Sequence, residues 1–198
     1  MPGECRLPRH HQVFKMTEDT LDTQTPEQPR AKSWLREMLE SVLPALVIVI
    51  VVNLFIAQAT RVEGQSMEPN LHNNERLIIE KISYRFREPA RGDIVVLKPQ
   101  QHGTVPLIKR VVGLPGETVE ITQNQVYING QPLQEDYLTE PTVGGMAAQI
   151  VPEAHLLVLG DNRNASNDSR SFGMIPYEDV IGRAWFRYWP IEELGLIR

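Results

Sequence analysis

A chain of 198 residues with one cysteine, Cys5, can form no internal disulfide framework and lacks the several cysteines that structural zinc sites require. Its formal net charge of −5 argues against a nucleic-acid partner, which would favour a clustered basic surface. With 41% apolar and 23% charged residues it is composed like an ordinary globular protein, long enough for one sizeable domain and an appendage.

Residues 1–33 are polar and punctuated by proline, as at Pro26 and Pro29, and have little to bury; a disordered cytoplasmic tail is expected. Residues 34–59 are expected to form a juxtamembrane segment and a transmembrane helix, because Trp34–Leu39 leads into an apolar run, Val42–Ala59, broken only by Pro44, Asn53 and Gln58. Eighteen helical residues cover about 27 Å, close to the ~30 Å hydrocarbon thickness of a bilayer. The apolar positions run right round the helix without an amphipathic stripe, which favours lipid over a protein core. Arg30, Lys32 and Arg36 precede the run and only Arg61 lies close behind it, so the tail should be cytoplasmic and residues 60–198 extracytoplasmic. Ala57-Gln58-Ala59 has the small residues of a signal-peptide cleavage site. About forty residues before the apolar run are too many for an ordinary n-region, so an uncleaved anchor is expected.

Beyond the span the chain is expected to be mostly β. Short apolar or alternating runs at Arg76–Ile82, Asp93–Leu97 and Leu107–Val112 are followed by the Pro115-Gly116 turn. Thr118–Thr122, Gln125–Ile128 and Leu156–Leu159 read as further strands, and Arg183–Trp189 as the last. Pro176–Val180 has the composition of a short helical turn, with Pro near its start and Gly182 after its end. Many short strands with frequent turns indicate a sandwich or barrel-like β domain.

Ser66 lies between Gly64 and Pro69, on a turn where glycine would let another backbone approach. A loop serine alone says little, and this is not the Gly-x-Ser-x-Gly elbow of the α/β hydrolases. Lys109 says more. Of the lysines beyond the span, Lys81 follows Glu80 and Lys98 ends a strand before Pro99, whereas Lys109 shares a strand face with Leu107 and Val111. An ammonium on an apolar face loses hydration, and its pKa falls from about 10.4 towards neutrality. The neutral amine could then accept the proton of a serine hydroxyl; the alternative is that Lys109 reaches solvent or an acid. A Ser-His-Asp triad is the rival chemistry, drawing on His72, His102 or His155 with Asp161. The polar loop Gly160–Gly173 superficially suggests calcium. However, Arg163 occupies an early ligand position, the required glycine is missing and no terminal Glu follows, so no metal is expected.

As a set, four segments resemble the bacterial type I signal peptidases, membrane-bound Ser-Lys proteases that remove signal peptides from exported preproteins. They are Gly64–Leu71, Arg91–Val96, Lys109–Glu117 and Gly160–Arg170, the last holding Gly160-Asp161-Asn162-Arg163 and Ser166-Asn167-Asp168-Ser169-Arg170. The compact middle is similar to the smaller cyanobacterial and chloroplast forms. The resemblance implies the β domain shared by signal peptidases and repressor-type proteases, with Ser66 as nucleophile and Lys109 as general base. It implies that Ser166 orients the lysine amine, that Asp168 and Arg170 form a supporting ion pair, and that Asp161 and Arg110 hold the site together. Met67 and Ile108 match positions that line small substrate pockets. No cofactor is implied; the partners would be preprotein signal peptides and the lipid bilayer, with no nucleic acid, and the protein would be a monomer. The catalytic domain would face the periplasm or the thylakoid lumen.

One departure concerns Gly64, where some members of that family carry a serine whose hydroxyl serves the oxyanion hole. Two other readings remain in view: a related self-cleaving Ser-Lys repressor-type protease, against which the span and the absence of a DNA-binding segment count, and a non-enzymatic anchored β domain. Trp185 and Trp189 would lie either at a lipid interface or in the core.

Overall fold

The computed structural model describes residues 31–99 and 105–197; most of the expected disordered tail, residues 1–30, lies outside them, as does His102. By internal packing the chain divides into two units, Met1–Ser41 and Val42–Arg198. In the first, the described residues are helical. The second carries every strand of the described residues.

Helix α1 spans Ala31–Val51, so residues 31–33 are helical rather than part of the tail. A wider π turn, Val52–Ile56, continues it, and the backbone then becomes extended at Ala57 (φ −150°, ψ 147°). The segment Arg36–Ile56 is long and apolar enough to cross a membrane, and none of its most apolar stretch is buried. Pro44 lies inside the helix. The apolar run therefore leaves the helix three residues before its last member: Ala57-Gln58-Ala59, expected to be helical, belongs instead to strand β1, Ala57–Arg61. All five of its residues pair with β2, Arg76–Glu80, from Ala57↔Glu80 to Arg61↔Arg76. Sheet pairing has overridden an apolar pattern that, read locally, continues a helix.

The remaining strands are β3 (Ile94–Leu97), β4 (Leu107–Gly113), β5 (Thr118–Thr122), β6 (Gln125–Ile128), β7 (Gln131–Pro132), β8 (Met146–Ile150) and β9 (His155–Leu159). After the short helix α2 (Ser169–Phe172) come β10 (Ile175–Pro176), β11 (Val180–Trp189) and β12 (Gly195–Leu196). The fold is mostly β and antiparallel. One eight-stranded sheet runs β1-β2-β11-β3-β4-β9-β10 with β12 added on β11; a four-stranded sheet runs β7-β6-β5-β8. The expected strands are present with ends moved by a few residues, and Tyr177–Asp179 forms the expected turn. The short β7, β10 and β12 and the polar β8 lacked the apolar alternation by which a strand is recognised.

Burial follows position in the sheet. β2 and β5 alternate between buried and half-exposed residues, so one face packs inward, whereas β3 is buried throughout and β9 nearly so. Val112, Val119, Ile121, Val126, Leu157 and Leu159 form a core shared by the two sheets. Val95, Leu97, Val111, Leu156, Val158 and Ile175 form another within the large sheet. β4 lies between these cores and carries Lys109, with β3 on one side (Val95↔Lys109) and β9 on the other (Arg110↔Leu159). Trp185 and Trp189 are not core residues; both are exposed.

Candidate active site

Ser66 is reached by a reversal at Gly64, whose φ of +88° is a conformation that L side chains rarely adopt. A tight turn follows, closed by hydrogen bonds from Glu68 N–H to the Gln65 carbonyl (3.2 Å) and from Leu71 N–H to the Met67 carbonyl (2.9 Å). Met67 and Leu71 anchor that turn in a third apolar cluster with Val62, Leu77 and Ile94, against which Ile108 packs. The hydroxyl of Ser66, left half-buried, faces Lys109. Gly64 is thus a backbone requirement: space is open around it, but a serine there would be strained. Its N–H donates to Asn73 Oδ1 (3.0 Å). The N–H of Ser66 itself has no acceptor among the described residues.

Lys109 is 3% exposed, and its Nζ donates to Ser66 Oγ at 2.7 Å and to the Ile108 carbonyl at 3.0 Å. Burial pushes the amine down to about 8, while the carboxylates of Asp168 and Asp161 pull it partly back up. An amine tuned to that range is neutral in an appreciable fraction of molecules near physiological pH and can take a hydroxyl proton.

The loop after β9 encloses the pair from another side. Gly160 N–H donates to Asp168 Oδ2 (3.1 Å), and Asn162 N–H donates to the carbonyl of Ser66 (3.0 Å), tying this loop to the backbone of the serine turn. Asp168 caps α2 and receives a fork from Arg170: Nε to Oδ1 and a terminal nitrogen to Oδ2, each at 2.8 Å. Burial would raise the Asp168 carboxyl, but the Arg170 guanidinium and the Gly160 N–H prevail and hold it below the usual carboxylate range. Arg110 makes the matching fork to Asp161, at 2.8 and 2.7 Å, and both side chains are buried. Ser166 Oγ is buried with no partner in hydrogen-bonding geometry among the described residues, although it lies near enough to Asp168 to favour that carboxylate's charge. The serine, the lysine and both ion pairs therefore assemble. A direct bond from Ser166 to the amine does not form in this state.

Several supporting residues escaped sequence reading. Asn70 Nδ2 donates to Asp161 Oδ2 (2.9 Å) across 91 residues of chain. Arg163 is buried, paired with Glu135 and bonded to Thr142 Oγ1 (2.7 Å), and the Tyr137 ring lies 4.1 Å beneath the Arg110 guanidinium. Arg163 belongs to the Gly160-Asp161-Asn162-Arg163 segment, but its partners have no local signature in the sequence. Among the described residues the triad rival is not assembled: His155 Nδ1 lies 2.8 Å from the Glu153 carbonyl, and Asp161 is engaged by Arg110 and Asn70. His72 gathers with Glu75 and Glu193, but the Arg187 guanidinium supplies the positive charge there, 3.0 Å from Glu75 and 2.8 Å from Glu193.

A cleft of about 400 Å³ opens beside the pair, lined by Thr60, Val62, Ser66, Met67, Leu107 and Ile108 among others. Its walls are the chain leading to Ser66 and the start of β4, two extended segments between which a peptide could lie. Met67 and Ile108 therefore do border the space next to the hydroxyl.

A buried amine on a β-strand, in contact with a serine hydroxyl at the mouth of a peptide-sized cleft, is the layout of a serine hydrolase that uses a lysine base. The model of the family "Signal peptidase, peptidase S26" matches residues 35–189, and the chain belongs to that family. It is 45% identical over 175 residues to signal peptidase I of Leptolyngbya laminosa, with 85% of this chain and 86% of that one covered. It is 43% identical over 176 residues to the Synechocystis protein named "Probable signal peptidase I-2", covering 86% and 80% respectively. Against the "Probable thylakoidal processing peptidase 2, chloroplastic" of Arabidopsis thaliana it is 37% identical over 171 residues, covering 79% of this chain and 47% of that one.

Proposed function

We propose that the chain is a membrane-anchored serine endopeptidase that cleaves N-terminal signal peptides from preproteins through an acyl-enzyme, with Ser66 as nucleophile and Lys109 as base. The observation that carries this reading is the 2.7 Å contact between the Ser66 hydroxyl and a buried lysine amine whose charge is disfavoured. Ser66 Oγ attacks the scissile carbonyl while its proton passes to Lys109 Nζ. The developing oxyanion is met by the Ser66 N–H. Lys109 then returns the proton to the departing amine of the mature protein, leaving the signal peptide esterified to Ser66. Lys109, neutral again, takes a proton from water, which attacks the ester and frees the enzyme.

The substrate lies extended in the cleft, with small residues at the first and third positions before the cut facing Met67 and Ile108. Asp168, Arg170, Asp161 and Arg110 act at one remove, as positioning residues that hold the loop and strand against the pair. The protein acts as a monomer with its tail in the cytoplasm and residues 60–198 on the periplasmic or lumenal side, since cations cluster before the span.

The test is cleavage of a preprotein by the full chain and by the Ser66→Ala and Lys109→Met variants. Both variants should lose turnover by at least ~10³-fold while remaining folded. Wild-type turnover by either would overturn the assignment.

A further inference from the structure

A second hollow, of about 470 Å³, lies at the end of the membrane-crossing segment and shares no lining residue with the Ser66–Lys109 cleft. Lys81, Tyr84, Arg85, Phe86, Arg87 and Tyr177 contribute to its wall. Its cations stand out in a chain whose net charge is −5. Arg87 is engaged by Asp93 at 2.9 Å, and Glu88 is an acid at the same wall. Lys81 and Arg85, in contrast, meet no carboxylate among the described residues. The Lys81 amine donates to the backbone carbonyl of Asn53 at 3.2 Å, and the Arg85 guanidinium lies 5.3 Å from the centre of the Phe55 ring.

Asn53 and Phe55 belong to the π turn that ends the apolar segment, and Lys81 N–H also bonds the Ile56 carbonyl at 2.9 Å. The hollow is therefore fixed at the level where the apolar segment stops. In a bilayer that level is occupied by headgroups. Two further features suit that level. Phe86 is 85% exposed, a ring that water disfavours and the upper acyl region accepts. The Tyr177 hydroxyl, on a residue at the hollow's wall, is buried with no hydrogen-bond partner among the described residues, and Glu88 and Glu153 reach it through their charge alone.

We propose that this hollow binds the phosphate of one anionic lipid headgroup. Lys81 and Arg85 take its charge through charge-assisted hydrogen bonds, Tyr177 donates a further one, and Phe86 lies among the acyl chains. The proposal rests on Arg36–Ile56 spanning a membrane, and is independent of the peptidase chemistry.

Native mass spectrometry of the detergent-solubilised full chain, equilibrated with equal amounts of phosphatidylglycerol and phosphatidylcholine, tests it. The wild-type chain should retain one phosphatidylglycerol with ~10-fold preference, and a Lys81→Gln/Arg85→Gln double variant should retain the two lipids equally. Millimolar inorganic phosphate should leave the bound lipid in place. Equal retention by the wild type, unchanged preference in the double variant, or displacement by phosphate alone would each overturn the proposal. Carbonate extraction of membranes holding the full chain tests the span separately. A chain that stays with the membrane yet shows no lipid preference contradicts the headgroup site alone.

Discussion

Gly160 lies so close to Ser166 that a Cβ at residue 160 would fall 2.2 Å from the Ser166 hydroxyl oxygen and 2.5 Å from the carbonyl oxygen of Ser66. The absence of a side chain thus lets the loop after β9 press against the backbone of Ser66. Ser66 O also accepts from Asn162 N–H, so the two segments are joined at two adjacent points. Gly160→Ala cannot be absorbed by a flexible side chain, because one of the atoms it meets is backbone. It should destabilise the fold by about 1–3 kcal/mol, as overpacking does. It should also lower kcat/KM by ~10²-fold or more through displacement of Ser66. Thermal unfolding and peptide cleavage measured on the same sample check both.

The pH dependence follows from the Lys109 amine. Burial lowers it to about 8, and in its proposed role as base it must be neutral to act, so kcat/KM should rise with pH through an apparent pKa near 8. The Asp168 carboxylate favours the ammonium and works against that lowering. Asp168→Asn should therefore move the rise to lower pH even if it lowers the maximal rate. A pH–rate profile of the two proteins gives the sign directly.

The same burial makes Lys109 a liability to the fold. Its amine binds a proton less tightly in the folded chain than in the unfolded one, whose lysines keep the ordinary value of 10.5. Between about pH 8 and 10.5 the unfolded state holds more protons, so this group's contribution to stability rises with pH across that window; below it the penalty is at its full value. Lys109→Met, which removes the penalty, should be more stable than the wild type at pH 7 by on the order of 3 kcal/mol while losing activity. Denaturant unfolding at pH 7 and pH 10 measures the gain and its decline.

Ser166→Ala removes a buried hydroxyl that has no partner in hydrogen-bonding geometry among the described residues, and Asp168, whose charge it favours, keeps its bonds from Gly160 and Arg170. Stability should stay within about 0.5 kcal/mol of the wild type. If the hydroxyl turns to the Lys109 amine when substrate fills the cleft, kcat should fall by ~10-fold or more while KM holds. A change confined to KM would place Ser166 in binding.

Strand β1 bears on whether the anchor is retained. Ala57-Gln58-Ala59 carries the small residues of a cleavage site, yet all three pair with β2. Held in a strand, the bond after Ala59 is not free to extend into a protease cleft. The intact mass of the purified protein should include residues before Thr60; a product beginning at Thr60 would contradict it.

How far the sequence carried these conclusions depended on whether a partner was local. Thr118–Thr122 and Gln125–Ile128 were legible because alternation and the intervening Gln123-Asn124 turn both lie within one window. Ala57–Ala59 was not, because it closes the apolar run of the helix while its pairing partner, β2, lies about twenty residues further on. In the site, Ser66 and Lys109 each looked ordinary alone, and the motif context gave them weight. Asn70, Tyr137 and Glu135 were invisible, since nothing near an asparagine in sequence shows that it will meet an aspartate 91 residues away. In the sequence, Gly64 shows only a missing hydroxyl. The structure adds that its positive φ requires glycine, so the departure belongs to the backbone.

The central claim, that Ser66 is acylated with Lys109 as its base, is tested most directly by acid-quenching the full chain during turnover of a signal-peptide substrate and locating the adduct by peptide mass spectrometry. The account predicts the signal peptide esterified to Ser66 in the wild type and no adduct in Lys109→Met. An adduct on another residue, or equal acylation of Ser66 in the Lys109→Met variant, would contradict it.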